Sequence, residues 1–226
     1  RGKPFAPAGE AFDAAVEDWR QLYSDEDAYF DREEVIDASS VPPTITWGTS
    51  PEHAIPVDGH VPDPNDAANA AQRDTLLAAL DYMGLTAGQA IAGTPIDWVF
   101  IGSCANSRLS DLRAAADVVR GKRVAERVTA WVVPGSEIVK RAAEAEGLHD
   151  VFIDAGFAWR ELGCSMCVAA NGEQVLPQQR SVSTSNRNFV GRQGPGARTH
   201  LASPAMAAAA AIAGAITDVK EVDPCA

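Results

Sequence analysis

Apolar residues follow two different spacings from residue 67 onward, and these predict helices and strands in alternation. A helical spacing runs through 67–83, 108–120, 136–146 and 203–215. The apolar, β-branched run at 96–102 predicts a buried strand, and 128–133 and 151–153 predict two more. A fourth strand is predicted at 181–185, where turn residues precede the run. Strands that alternate with helices of this length are typical of a parallel sheet packed between helices. We therefore expect an α/β domain over 67–226, with three α/β/α layers and a mainly parallel sheet.

Residues 1–66 lack this regular order and are rich in proline and glycine. They predict one helix at 10–22, a short strand at 45–47 and a long loop over 48–64. We expect an irregular connecting segment with a solvated acidic stretch. Its first residues, RGKPFAPAGE, contain no initiator methionine, so we expect the chain to be part of a longer protein.

Charge and composition narrow the classes of function. The formal net charge of -12 disfavours a general binder of nucleic acid or of anionic membranes. A site for a small anion stays compatible, because it needs only a few local arginines. No apolar run is long enough to span a bilayer. Four cysteines without a dense framework predict a reducing, cytoplasmic setting in which thiols serve a metal or redox role.

Three of the four cysteines lie in two short motifs. Cys104, in IGSCANS, follows the strand predicted at 96–102, whereas Cys164 and Cys167 form a C-x-x-C pair in GCSMC. Thiolates favour zinc and iron–sulfur clusters. Three thiolates without a fourth suit a cubane cluster that keeps one iron free of protein ligands.

Other roles for these cysteines stay open on spacing alone. Structural zinc takes four Cys or His ligands, and His149 and His200 lack a paired spacing that favours such a site. We expect Cys225, beside the carboxyl terminus, to be uninvolved. A zinc site and a set of structural or redox thiols therefore remain alternatives to a cluster.

A second candidate segment is STSNRNFVGRQGPG, residues 183–196. Its two arginines, Arg187 and Arg192, have the planar fork that grips a carboxylate through two hydrogen bonds. An exposed loop with surface arginines is the alternative. In parallel sheets, sites form at the carboxyl ends of strands. Cys104, Ser136 and Arg187 each follow a predicted strand, so we expect their loops to share one edge of the sheet.

These motifs carry a resemblance to a known family. IGSCANS and GFAWRELGCSMCVA resemble the two iron–sulfur signatures of the aconitase family, and STSNRNFVGRQGPGARTHLASPAMAAAAAIAG resembles its substrate-arginine segment. WGTSP, VPDP, DYMGL and VVPGS agree in the same order. The likeness covers essentially the whole chain, and it is strongest for the two-subunit members that serve leucine biosynthesis.

The resemblance implies a fold like the third domain of aconitase and a [4Fe–4S] cluster held by Cys104, Cys164 and Cys167. It implies that Arg187 and Arg192 hold substrate carboxylates, with the free iron acting as a Lewis acid. It also places three residues beside the cluster, namely Ser103, Asn106 and Asn186. One departure is Ala105, where the family usually has threonine.

The activity implied is the conversion of 2-isopropylmalate to 3-isopropylmalate through 2-isopropylmaleate. Relatives of the homoaconitase and aconitase type act on other hydroxy acids, and a truncated cluster-binding or zinc-binding fragment would be inactive. In the family, the catalytic base is a serine on a swivelling domain, here a separate small subunit. Further His and acidic groups come from an N-terminal portion of the large subunit. The resemblance thus predicts a heterodimer whose catalytic base lies outside this chain.

Overall fold

The first compact part of the chain is a short segment with one helix. The computed structural model describes residues 1–169 and 172–222, and it divides the chain into Arg1–Ser40 and a second unit that begins at Val41. In the first unit, α1 (Glu10–Trp19) confirms the helix predicted at 10–22. Phe12 contacts Trp19 edge-on across one helical face, at 6.0 Å between ring centroids.

The second unit opens with a β-hairpin that the sequence had placed in the connecting segment. Strands β1 (Thr44–Thr46) and β2 (Ala54–Pro56) pair antiparallel. The unit begins at Val41 rather than at residue 67 because the few apolar residues of this stretch enter the main core. Ile45, Trp47 and Val57 are almost fully buried. Prolines and glycines interrupt the sequence between these three buried residues, so no regular apolar spacing indicates that they are buried.

A five-stranded parallel sheet forms the centre of the second unit, as predicted. Its strands are β3 (Trp98–Ile101), β4 (Thr129–Val132), β5 (Ala158–Trp159), β6 (Arg180–Ser183) and β7 (Arg198–Leu201). Their order is β5-β4-β3-β6-β7, and every neighbouring pair is parallel. Buried apolar residues in β3 explain why this strand lies in the middle of the sheet.

The described part of the second unit contains the helices α2 (Ala70–Met83), α3 (Leu109–Val119), α4 (Glu137–Ala145), α5 (Leu148–Ala155), α6 (Pro204–Ala213) and α7 (Val219–Val222). The four helices predicted at 67–83, 108–120, 136–146 and 203–215 are present, and two shorter helices, α5 and α7, were not predicted. Ser203 caps α6 by accepting a hydrogen bond from the Met206 N–H, with Pro204 in the first turn. Within residues 1–169 and 172–222, no helix is both long enough and apolar enough to cross a membrane.

The two faces of the sheet are covered differently. Val99 and Ile101 belong to the large core that α3, α5 and α6 complete. On the other face, Phe100 packs with Met166 and Val175. These two residues come from the connection between β5 and β6, which is described as a 3-10 turn (Ser165–Cys167) and irregular chain. The segment that holds the C-x-x-C pair is therefore anchored directly on the sheet.

Four strand assignments differ from the prediction, including β2 and β5, which the sequence analysis did not predict. The strand predicted at 151–153 is wrong, since these residues lie inside α5. Leu148, Phe152 and Ala155 are buried at helical spacing, whereas Ile153 is half exposed. The sequence analysis also missed β7, because Arg198, Thr199 and His200 give it a polar appearance although Thr199 and His200 are buried.

Candidate metal centre

The three motif cysteines meet at the carboxyl edge of the sheet. The chain passes outward through β3, β4 and β5 and then returns to β6 beside β3, so the direction of winding changes between β3 and β6. Ligand sites in such sheets form at this switch point, outside the carboxyl ends of the strands. Cys104 follows β3 by three residues, and the C-x-x-C pair follows β5.

One cavity of about 260 Å³ brings the cysteines together. Cys104, Cys164 and Cys167 all line it, and the remaining lining residues are Ser103, Pro134, Gly135, Leu162 and Gly163. Cys104 and Cys164 are exposed, Cys167 is partly buried, and all three are free thiols. Because one water occupies about 30 Å³ of the liquid, this space suits a group larger than a single ion.

The backbone before Cys104 is held in a fixed and unusual conformation. Ser103 has φ of 86°, a region that costs a residue with a side chain about 1–3 kcal/mol. The Gly102 N–H donates to Thr184 Oγ1 at 2.9 Å, and the Asn106 amide donates to the Thr184 carbonyl at 2.7 Å. These bonds tie the cysteine loop to the chain that leaves β6, so Ser103 and Asn106 help to set the position of Cys104.

A second network supports the C-x-x-C turn. Ser165, which lies between the two cysteines, donates from Oγ to Glu173 Oε2 at 2.6 Å. Glu173 also forms an ion pair with Arg160, whose guanidinium lies 4.1 Å from the centre of the Trp131 ring. Sequence analysis did not single out Glu173 or Arg160. Arg160 could have been found from its position in WRELGCSMC, because this motif carries the family resemblance.

Arg192 is the charged group in closest contact with a cysteine. It is only 4% exposed, and its Nη2 donates to Cys167 Sγ at 3.1 Å while Nε donates to the Cys167 carbonyl at 2.6 Å. Nη2 also lies 3.4 Å from Asn186 Oδ1. The arrangement places a permanent positive charge against the sulfur.

Arg187 and Asn186 lie on the same β6–β7 connection but are exposed. Ser136, which also follows a strand, caps α4 by accepting a hydrogen bond from the Val139 N–H. The structure thus groups Ser103, Asn106, Asn186 and Arg192 with the cysteines. Arg187 is exposed on the β6–β7 connection, five residues before Arg192. Ser136 has a structural role as the cap of α4.

The two histidines considered for zinc lie outside the cysteine cavity. His200 is fully buried in β7; Nδ1 donates to the Thr46 carbonyl and Nε2 accepts from Arg180. Burial, together with the charge of Arg180, lowers the pKa of His200 to about 3, so it is neutral. His149 is beside Asp150 on α5. Cys225 lies outside the described residues.

Chemically, the arrangement is a three-thiol pocket. Among residues 1–169 and 172–222, no three His, Cys, Asp or Glu side chains are grouped closely enough to hold one metal ion. Thiolates that each bind a different iron of a cubane stand further apart than ligands of one ion. Three thiols around a cavity of this size therefore fit a polynuclear iron–sulfur group.

Comparison with known proteins agrees with this chemistry. The model of the aconitase family (aconitate hydratase) matches residues 1–214. Over 223 residues, the chain is 69% identical to the 3-isopropylmalate dehydratase large subunit 1 of Bradyrhizobium diazoefficiens; the match covers 99% of this chain and 47% of that protein. The chain thus spans about half the length of this curated relative. Because the family model matches nearly the whole length of the sequence, the chain belongs to the aconitase family.

Proposed function

We propose that this chain is the cluster-bearing part of a hydro-lyase large subunit, with Cys104, Cys164 and Cys167 as the ligands of a [4Fe–4S] cluster. The observation that carries the proposal is the convergence of thiols from two distant motifs on one cavity, beside Arg192. When bound, the cluster supplies a Lewis acid that makes a substrate hydroxyl a better leaving group.

The chain's own contribution is to hold and orient the substrate. Arg187 is exposed on the same β6–β7 connection as Arg192, and its guanidinium can grip a carboxylate through two hydrogen bonds. Arg192 already donates to Cys167 and fixes the position of that thiol. Leu162 adds an apolar wall to the cavity. These groups favour a substrate with carboxylates at one end and a small apolar part at the other.

By similarity to the Bradyrhizobium protein, we propose that the substrate is 2-isopropylmalate, converted to 3-isopropylmalate through 2-isopropylmaleate in leucine biosynthesis. Of the described residues that line the cysteine cavity, none is a His, Asp, Glu or Lys. We therefore propose that the base comes from a small, swivelling-domain subunit, and that other polar groups come from the rest of the large subunit. Free thiols and an iron–sulfur cluster suit the reducing cytoplasm.

The function is tested by measuring turnover in an assembled enzyme. The full-length large subunit, reconstituted anaerobically with iron and sulfide and mixed with the small subunit, should convert 2-isopropylmalate to 3-isopropylmalate. Residues 1–226 alone should show no measurable turnover, because they lack the base.

Three results would contradict this proposal. Robust turnover by residues 1–226 without a partner would show that the base lies in this chain. Preference for another hydroxy acid, such as homocitrate, would assign a different dehydratase activity. Stoichiometric zinc, with no iron bound after reconstitution, would indicate a structural site.

A further inference from the structure

A second cavity, of about 530 Å³, lies at the opposite edge of the sheet from the cysteines. Asp97 directly precedes β3, while Arg180 and Arg198 are the first residues of β6 and β7, and all three line it. The two cavities are thus separated by the length of the strands, about 13 Å for four residues at about 3.3 Å each. The volume of this second cavity is in the range of small-molecule sites, and the proposed reaction does not use the cavity.

The wall of this cavity carries more positive than negative charge. Arg180 and Arg198 face a single lining carboxylate, Asp97, which accepts a hydrogen bond from the Arg180 backbone N–H at 2.8 Å. Burial and then the charge of Arg198 lower the pKa of Arg180 to about 10, and Asp97 only partly opposes this. Although the net charge of the chain is -12, Asp97 is the only acidic side chain among the described residues that line this cavity.

Only some of the N–H donors of Arg180 and Arg198 are used to cap the carboxyl end of α2. Arg198 Nε donates to the Tyr82 carbonyl and Arg180 Nη2 donates to the Met83 carbonyl, both at the carboxyl end of α2. Arg180 Nη1 is bonded to His200. The terminal nitrogens of Arg198 have no hydrogen-bond partner within the described part of the chain. The guanidinium is seated over Gly84, where an added Cβ would lie 2.5 Å from its central carbon.

Thr94 is an independent observation in favour of a ligand, because its hydroxyl is a polar group without a hydrogen-bond partner among the described residues. It lines the same cavity and is 8% exposed, and its hydroxyl is buried without a hydrogen-bond partner among the described residues. Its backbone is fully used, because its N–H donates to the Ile91 carbonyl and its carbonyl accepts from the Ile216 N–H. A buried hydroxyl without a partner is unfavourable, so the position gains nothing for folding from a threonine.

We propose that this cavity binds a small organic carboxylate, with Arg198 as its main anchor. The Thr94 hydroxyl, which is buried in the empty site, becomes a second contact when its side chain rotates toward the ligand. The fork of Arg198 matches the two oxygens of a carboxylate. Leu85, Ala92 and Pro95 supply apolar walls that a bare inorganic ion would not use. The site is distinct from the cysteine cavity and does not depend on a bound cluster.

Calorimetric titration of the intact, full-length chain with succinate and with inorganic phosphate tests the proposal. Succinate should bind more tightly than phosphate. Arg198→Ala should weaken succinate binding about tenfold or more, since a charge-assisted contact is lost. Thr94→Val should weaken it about three- to tenfold without lowering the unfolding temperature, because the variant removes a buried hydroxyl that lacks a partner.

Two control variants locate the binding event. Arg141→Ala removes an exposed arginine that pairs with Glu137 on α4 and should leave the affinity unchanged. Arg192→Ala removes the arginine at the cysteine cavity, so it separates succinate bound there from succinate bound at Arg198. No binding of succinate, tighter binding of phosphate, or a loss with Arg192→Ala but not with Arg198→Ala would overturn the proposal. If Arg198→Ala does not fold, an unchanged affinity in Thr94→Val would overturn it.

Discussion

Replacing Cys104 by serine in the full-length large subunit is expected to abolish retention of the cluster and, with it, turnover. Cys104 is the only cysteine that the β3 loop contributes to the cavity, and the C-x-x-C pair supplies the other two. Loss of an outer-shell partner typically costs about 10–100-fold in metal affinity or activity. Loss of a direct thiolate ligand should exceed that range, because serine is a harder and more basic ligand for iron.

The measurement is iron and sulfide content together with visible absorbance after anaerobic reconstitution, followed by turnover with the small subunit. Cys225→Ser is the matched control, since it removes one thiol from the tail of the same chain and should change neither property. A Cys104→Ser protein that keeps a full complement of iron and sulfide would remove Cys104 from the ligand set.

Arg187→Lys is expected to weaken binding of the substrate by about 1.5–3 kcal/mol while leaving the visible spectrum of the cluster unchanged. Lysine keeps the positive charge but cannot make the two parallel hydrogen bonds of the guanidinium fork. The exposed position of Arg187 on the β6–β7 connection means that a change there should disturb little of the fold. The readout is the substrate dissociation constant in the assembled, reconstituted enzyme.

Arg192→Lys provides the contrast. Its guanidinium donates to both the sulfur and the carbonyl of Cys167, so this variant should alter the cluster spectrum as well as the binding of substrate. An Arg187→Lys enzyme with unchanged affinity would exclude Arg187 from the substrate site. Identical spectra for Arg192→Lys and the parent protein would show that the bond to Cys167 has no influence on the cluster.

Much of the fold could be predicted because its signals are local. The apolar runs over 96–102 and 128–133 and the run over 181–185 that follows turn residues each form a strand of the sheet. The stretch at 151–153 misled because three apolar residues fit either a strand or a helix turn, and only the buried partners Leu148 and Phe152 identify the helix. Strand β7 was missed because its inward residues include a threonine and a histidine.

The site was predictable at the level of motifs but not of contacts. The predicted strands indicated that the loops of Cys104, Ser136 and Arg187 would share one edge of the sheet, and only the family resemblance added the C-x-x-C pair. The bonds from Arg192 to Cys167, from Ser165 to Glu173 and from Asn106 to Thr184 join residues whose proximity depends on how irregular segments pack. No periodic pattern encodes such packing. The same holds for Thr94 and Arg198, which are far apart in the sequence and line one cavity.

The central claim is that three thiolates hold a cluster and leave one iron open to substrate. Mössbauer spectroscopy of the full-length large subunit, reconstituted with ⁵⁷Fe and assembled with the small subunit, tests it most directly. On addition of 2-isopropylmalate, about one quarter of the iron signal should shift, because one iron of four lacks a protein ligand. A spectrum that stays unchanged in all its components, with substrate bound, would contradict the claim.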